Sequence, residues 1–123
     1  MEIKIKSGNI EINAELKNSE TAKKIYTALP LTGMANRWGQ EIYFSIPVYL
    51  EEEKDAKEVV EIGDIAYWPT GNCFCIFFGK TPASKKNEPR AASKVNVFGK
   101  VIGDAATLKN IQDGDEIIVS KAK

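Results

Sequence analysis

Histidine is missing from this 123-residue chain altogether, and that absence removes several chemistries at once. No Ser–His or Cys–His nucleophilic pair can be assembled. Cysteine is scarce as well: Cys73 and Cys75 are the only two. Without histidine or a second cysteine pair, a zinc site has too few ligands. The two thiols stand at i and i+2, on one face of any strand, and a bridge between them would close a very tight ring. They read as small buried thiols. No apolar run approaches the roughly 20 residues needed to cross a bilayer, and there is no Gly-rich phosphate loop of the Walker type. Charge of one sign is also lacking. Seventeen basic and seventeen acidic residues cancel, so a field that would gather nucleic acid is not expected. The opening MEIKIKSGNIEIN alternates charged and apolar residues, unlike a signal or transit peptide, and the cytoplasm is the expected location. No cofactor is implied.

What is present reads as a single domain over residues 1–123, long enough to bury about two thirds of its unfolded surface. Ile3 and Ile5, then Ile10, Ile12 and Ala14, alternate with polar residues around Ser7-Gly8-Asn9, the pattern of an opening β-hairpin. One helix of about three turns follows. Asn18 or Ser19 caps it, Glu20 lies in its first turn, Ala22, Ile25, Tyr26 and Leu29 share a face, and Pro30 stops it. Strand patterns then occupy Leu31 to Asn36 and Glu41 to Val48, broken by Arg37-Trp38-Gly39-Gln40. The charge run 51–58, EEEKDAKE, reads as a solvated loop and not as an acidic binding site.

Val59 to Ile62 and IAYWP are further strand candidates. CFCIFF at 73–78 is short, apolar and aromatic, which favours a strand buried on both faces. Residues 80–94 contain two prolines, several basic side chains and no large apolar one, and read as a mobile surface loop. Val95 to Val101 is a strand with Gly99 marking a bulge or close approach, Ala105 to Ile111 a short helix or turn, and EIIVS a last strand. Seven or eight short strands with one clear helix and no βαβ alternation imply a mainly β barrel or sandwich.

Two stretches resemble the cyclophilins. VFGKVIGDAATLKNI at 97–111 is similar to the segment in which a Val-Phe-Gly-Lys-Val strand enters a turn and short helix. GNCFCIFFGKT at 71–81 is similar to the strand Gly-Ser-Gln-Phe-Phe-Ile that ends in Lys-Thr. With WGQEIYF and GDIAYWPTGN, the whole chain resembles a small prokaryotic cyclophilin-like family without an assigned activity. The resemblance implies a closed eight-stranded barrel with one main helix and one short helix or turn.

Carried over position by position, it does not supply the isomerase machinery. The first phenylalanine of the pocket strand matches Phe74, but the second falls on Cys75. With Tyr43 and Phe44 on the Phe-His pair, Ser45 stands where the catalytic arginine should be. The pocket histidine falls on Val95, and Pro82-Ala83 replaces the tryptophan that follows Lys-Thr. The barrier to prolyl rotation is about 20 kcal/mol, and a positioned cation is what lowers it in the resembled enzymes.

The candidate groove therefore comprises Arg37, Tyr43, Trp68, Pro69 and Cys75. Trp68-Pro69 offers a flat, rigid wall, Tyr43 a hydroxyl, and Arg37 with Glu41 charge near the mouth. The bland alternative is that Trp38, Trp68, Tyr43 and Phe74 simply fill or cap the fold. The leading expectation is a module that binds a proline-containing peptide or a small molecule without efficient isomerisation. An atypical isomerase using Arg37 and a non-enzymatic assembly domain, monomer or homodimer, are the alternatives. Neither a nucleic-acid nor a membrane partner is expected.

Overall fold

The computed structural model describes residues 1–122. In chain order its elements are β1 (Glu2–Ser7), β2 (Ile10–Leu16), α1 (Glu20–Ala28), β3 (Leu31–Met34), β4 (Asn36–Arg37), β5 (Glu41–Ser45), β6 (Lys57–Val59), β7 (Asp64–Trp68), β8 (Cys73–Phe77), β9 (Arg90–Ile102), a 3₁₀ helix (Ala105–Asn110) and β10 (Glu116–Lys121). All strand pairs are antiparallel, and the order is β3-β10-β1-β2-β9-β7-β8-β5-β4, with β6 on β9.

The expected closed, eight-stranded ladder is not what forms. Ten strands make one open sheet whose path ends at β3 and β4. Those two are consecutive in the chain, with Ala35 between them. Its N–H donates to the Asp115 carbonyl at 2.7 Å, and its carbonyl accepts from Gly114 N–H at 2.8 Å. This detour splits the strand expected over 31–36, so β3 pairs only with β10 and β4 only with β5.

The hairpin, the capped helix and the last strand follow the sequence pattern. Ser19 Oγ accepts the Ala22 N–H at 3.2 Å, and Ala22 and Ile25 are buried. The inward residues of the sheet, among them Ile3, Ile5, Ile42, Phe44, Ile65, Phe74, Ile76 and Phe98, form the main core with the helix. Phe74 stacks on Phe44 at 5.1 Å between centroids and meets Phe98 edge-on at 5.4 Å.

The outward face of β5, β8, β7 and β9 is also covered, and this positions the site. Every residue of β8 is buried, as an apolar strand between two packed faces must be. Cys73, Cys75 and Phe77 form a second cluster with Val60, Ala66, Ala91 and Val95, and Tyr43, Trp68 and Val97 pack against it. Two loops bring the cover into place. Asn96, fully buried, accepts Glu53 N–H at 2.8 Å and donates to Glu51 O at 2.9 Å and Thr21 Oγ1 at 3.2 Å. Glu53 in turn accepts Thr21 Oγ1–H at 2.6 Å, so part of the supposedly solvated charge run is tied to the helix start.

The 80–94 segment differs from the mobile loop expected of it. Residues from Arg90 onward already belong to β9. The rest is hydrogen-bonded internally: the Glu88 carboxylate accepts Lys85 and Lys86 N–H groups at 2.9 Å each, and Arg90 Nε at 3.1 Å.

Candidate functional site

On β5, alternation sends Ile42 and Phe44 to the main core and Glu41, Tyr43 and Ser45 to the outer face. The register then sets Tyr43 against Cys75 and Glu41 against Phe77 on β8, with Ala66 of β7 opposite Cys75 on the far side. Over this sheet surface lies a pocket of about 180 Å³, lined by Trp38, Glu41, Tyr43, Trp68, Ala91, Ala92 and Val95. Trp38 comes from the β4–β5 turn, which its backbone N–H closes onto the Glu41 carbonyl at 3.0 Å. Ala91, Ala92 and Val95 come from the first half of β9, where β6 flanks it through the Lys57–Val95 pairing.

Trp68 is held on two sides. Its indole N–H donates to Ser93 Oγ at 2.6 Å. Behind it, a Cβ placed on Gly71 would stand 2.6 Å from Cζ3 and 2.7 Å from Cε3, a separation no side chain tolerates. Glycine at 71 therefore lets the turn between β7 and β8 close against the indole.

The electrostatics of the pocket centre on Glu41, which is 6% exposed. Burial pushes its carboxyl up from 4.5 to about 7, while a hydrogen bond from the Cys75 thiol pulls the other way. Burial also raises both thiols, Cys75 well above the ordinary range with the Glu41 charge adding to the effect. The Cys75 thiol additionally faces the Cys73 carbonyl at 3.8 Å. Raised thiols are poor nucleophiles, and both cysteines are free. Among the described residues no cluster of metal-ligating side chains occurs.

The structure brings Tyr43 and Trp68 together in the pocket, with Cys75 buried beneath. Pro69 does not join them; it borders a shallow depression with Tyr49, Leu50, Thr70 and Asn72. Arg37 is outside the lining too. Its guanidinium donates to the carbonyls of Gly39 at 3.0 and 3.1 Å, Lys109 at 3.1 Å and Ile111 at 2.9 Å, and lies over the Phe78 ring. The candidate set did not include Trp38, Ala91, Ala92 or Val95. The available signal was CFCIFF: a strand apolar on both faces requires a cover on the outer one, and a neighbouring strand's outward residues then lie beneath that cover.

The fold is mainly β, an antiparallel sheet with one α-helix. The family described as Cyclophilin-like matches residues 1–120, and the chain belongs to that family. It is similar to the solution structure of the hypothetical protein AF2241 from Archaeoglobus fulgidus, with 42% identity over 99% of this chain and 95% of that one, and a TM-score of 0.84. No curated protein matches the chain.

Proposed function

We propose that this protein is a binding module, in which a peptide side chain or small molecule enters the pocket walled by Trp38, Tyr43 and Trp68. One observation carries the reading. An open pocket lined by two tryptophans and a tyrosine sits on a rigid sheet face, where filling a hydrophobic core calls for no opening at all. Its volume, about 180 Å³, is close to the roughly 150 Å³ of a cavity that takes up one benzene. The occupant is therefore one ring or one branched head group, a proline ring included.

Efficient prolyl isomerisation is not part of this proposal. The resembled enzymes rely on a cation beside the prolyl amide, and such preorganised electrostatics is usually the largest catalytic contribution. Among the described residues no lysine or arginine lines the pocket. Arg37, the one candidate for an unconventional role, spends its donors on three backbone carbonyls.

Amide chemical shifts followed during titration with a set of proline-containing peptides test the reading. Shifts clustering on Trp38, Trp68, Ala91 and Ala92 at millimolar peptide are expected; their absence there contradicts binding of such peptides. A protease-coupled isomerisation assay is expected to give no acceleration above the uncatalysed rate. Clear acceleration lost in Arg37→Ala would restore the isomerase reading.

A further inference from the structure

Glu41 has no structural task comparable to that of the other shielded carboxylates. Glu53 holds the Thr21 N–H and hydroxyl, Asp64 accepts Glu61 N–H at 2.9 Å, and Glu88 holds two loop amides. Glu41 takes part in none of the ion pairs of the described residues. Its side chain borders the pocket instead, two positions from Tyr43 on the same face of β5. Ionising a carboxyl there is costly unless a positive charge comes beside it. The pocket offers none, because its lining holds no basic residue.

The rest of the lining suits a cation as well. Two tryptophans and a tyrosine surround the opening, and aromatic side chains gathered around a carboxylate are the means by which alkylated ammonium groups are recognised. Trp68 is fixed by Ser93 and by the bare backbone of Gly71, so little ordering is left for the binding step. At about 180 Å³ the pocket accepts a branched ammonium head but no larger molecule.

Resting on the binding reading above, we infer that the occupant is a small organic cation, an alkylated ammonium head, with Glu41 as its counter-charge and Trp38, Tyr43 and Trp68 as its walls. A quaternary ammonium has no proton to lose, so any pH dependence of its binding belongs to the protein. The titratable groups around Glu41 are Tyr43 on its own strand and the Cys73 and Cys75 thiols of β8, none of which carries a positive charge.

Choline and 3,3-dimethylbutan-1-ol make the test, since the second keeps the shape and hydroxyl of the first and replaces nitrogen by carbon. Calorimetric titration of the full chain at pH 8 is expected to show choline binding about tenfold more tightly than the neutral alcohol. That advantage should shrink toward pH 5.5, as Glu41 takes up its proton, while the alcohol binds alike at both. In Glu41→Gln the alcohol should still bind, and the advantage should fall to the part the aromatic walls supply and no longer change with pH. Equal affinity of the two probes at pH 8, or an advantage as large and as pH-dependent in Glu41→Gln as in the parent chain, overturns the inference and leaves the pocket a binding site. Failure of both probes to bind overturns it too, and the peptide titration then decides the binding reading separately.

Discussion

A carboxyl whose proton is held to about pH 7 by burial makes the stability of the fold depend on pH. The unfolded chain releases the Glu41 proton near 4.5, whereas the folded chain keeps it to about 7. Between those values the folded state binds more protons, so stability is greatest below the unfolded value and falls as pH rises through the folded one. The whole effect is about 3 kcal/mol, since each tenfold change in proton affinity is worth about 1.4 kcal/mol. Glu41→Gln removes it. Thermal unfolding of the variant should change less between pH 5 and 8 than that of the parent chain, and at pH 8 the variant should melt higher. Parallel profiles would contradict the burial of an uncompensated carboxyl. Gly71 supports a second prediction at this scale. Gly71→Ala drives a methyl group into the Trp68 ring, and overpacking of this kind costs about 1 to 3 kcal/mol. Chemical denaturation should register that loss, and the Trp68 indole signal should move away from its Ser93-bonded position.

At the scale of elements, the pocket depends on segments that come from far along the chain. Asn96 joins β9 to α1 and to the 51–53 loop through three hydrogen bonds. Asn96→Ala takes the acceptor from the Glu53 N–H and the donor from the Glu51 carbonyl, at about 1 to 3 kcal/mol for an unsatisfied group. Equilibrium unfolding should show that loss, and hydrogen exchange should quicken first at residues 51–53. Arg37 acts between elements as well, clamping the β4–β5 turn to the end of the 3₁₀ helix. Arg37→Ala should lower stability by about 1.5 to 3 kcal/mol, the range for hydrogen bonds from a charged group, and any change in affinity should come only with that loss. A loss of affinity without a loss of stability would return Arg37 to the binding site.

These long-range ties also explain what could be read from the sequence. The β1–β2 hairpin and the helix capped at Ser19 rest on local alternation and capping, and both were legible. So was the double burial of β8, because CFCIFF has no polar face. Gly99 was legible as a close approach, and a Cβ there would stand 2.8 Å from the Glu15 carbonyl oxygen. The break at Ala35 was not legible, since it is set by backbone bonds to Gly114 and Asp115, far along the chain. Burial of Glu41 was equally hidden: local alternation places it outward, and only the return of residues 91–95 over β5 and β8 covers it. The aromatic partners Tyr43 and Trp68 could be chosen because they end or line strands, whereas Ala91 and Ala92 carry no chemical signal.

At the scale of the whole molecule, the sheet has two dressed faces. The inner one is a closely packed core; the outer one, over β5, β8, β7 and β9, is a thinner cluster that leaves a pocket open. The cyclophilin-like fold supplies the platform, and the pocket lies on its outer face. Both of the chain's tryptophans line the pocket, so its intrinsic tryptophan emission reports on this one place. Titrating the folded protein with proline-containing peptides and small ammonium compounds, while recording that emission, reads occupancy of the pocket. A saturable change in intensity or wavelength is expected with at least one of them at or below millimolar concentration. Emission that stays constant across the whole set would contradict the binding reading.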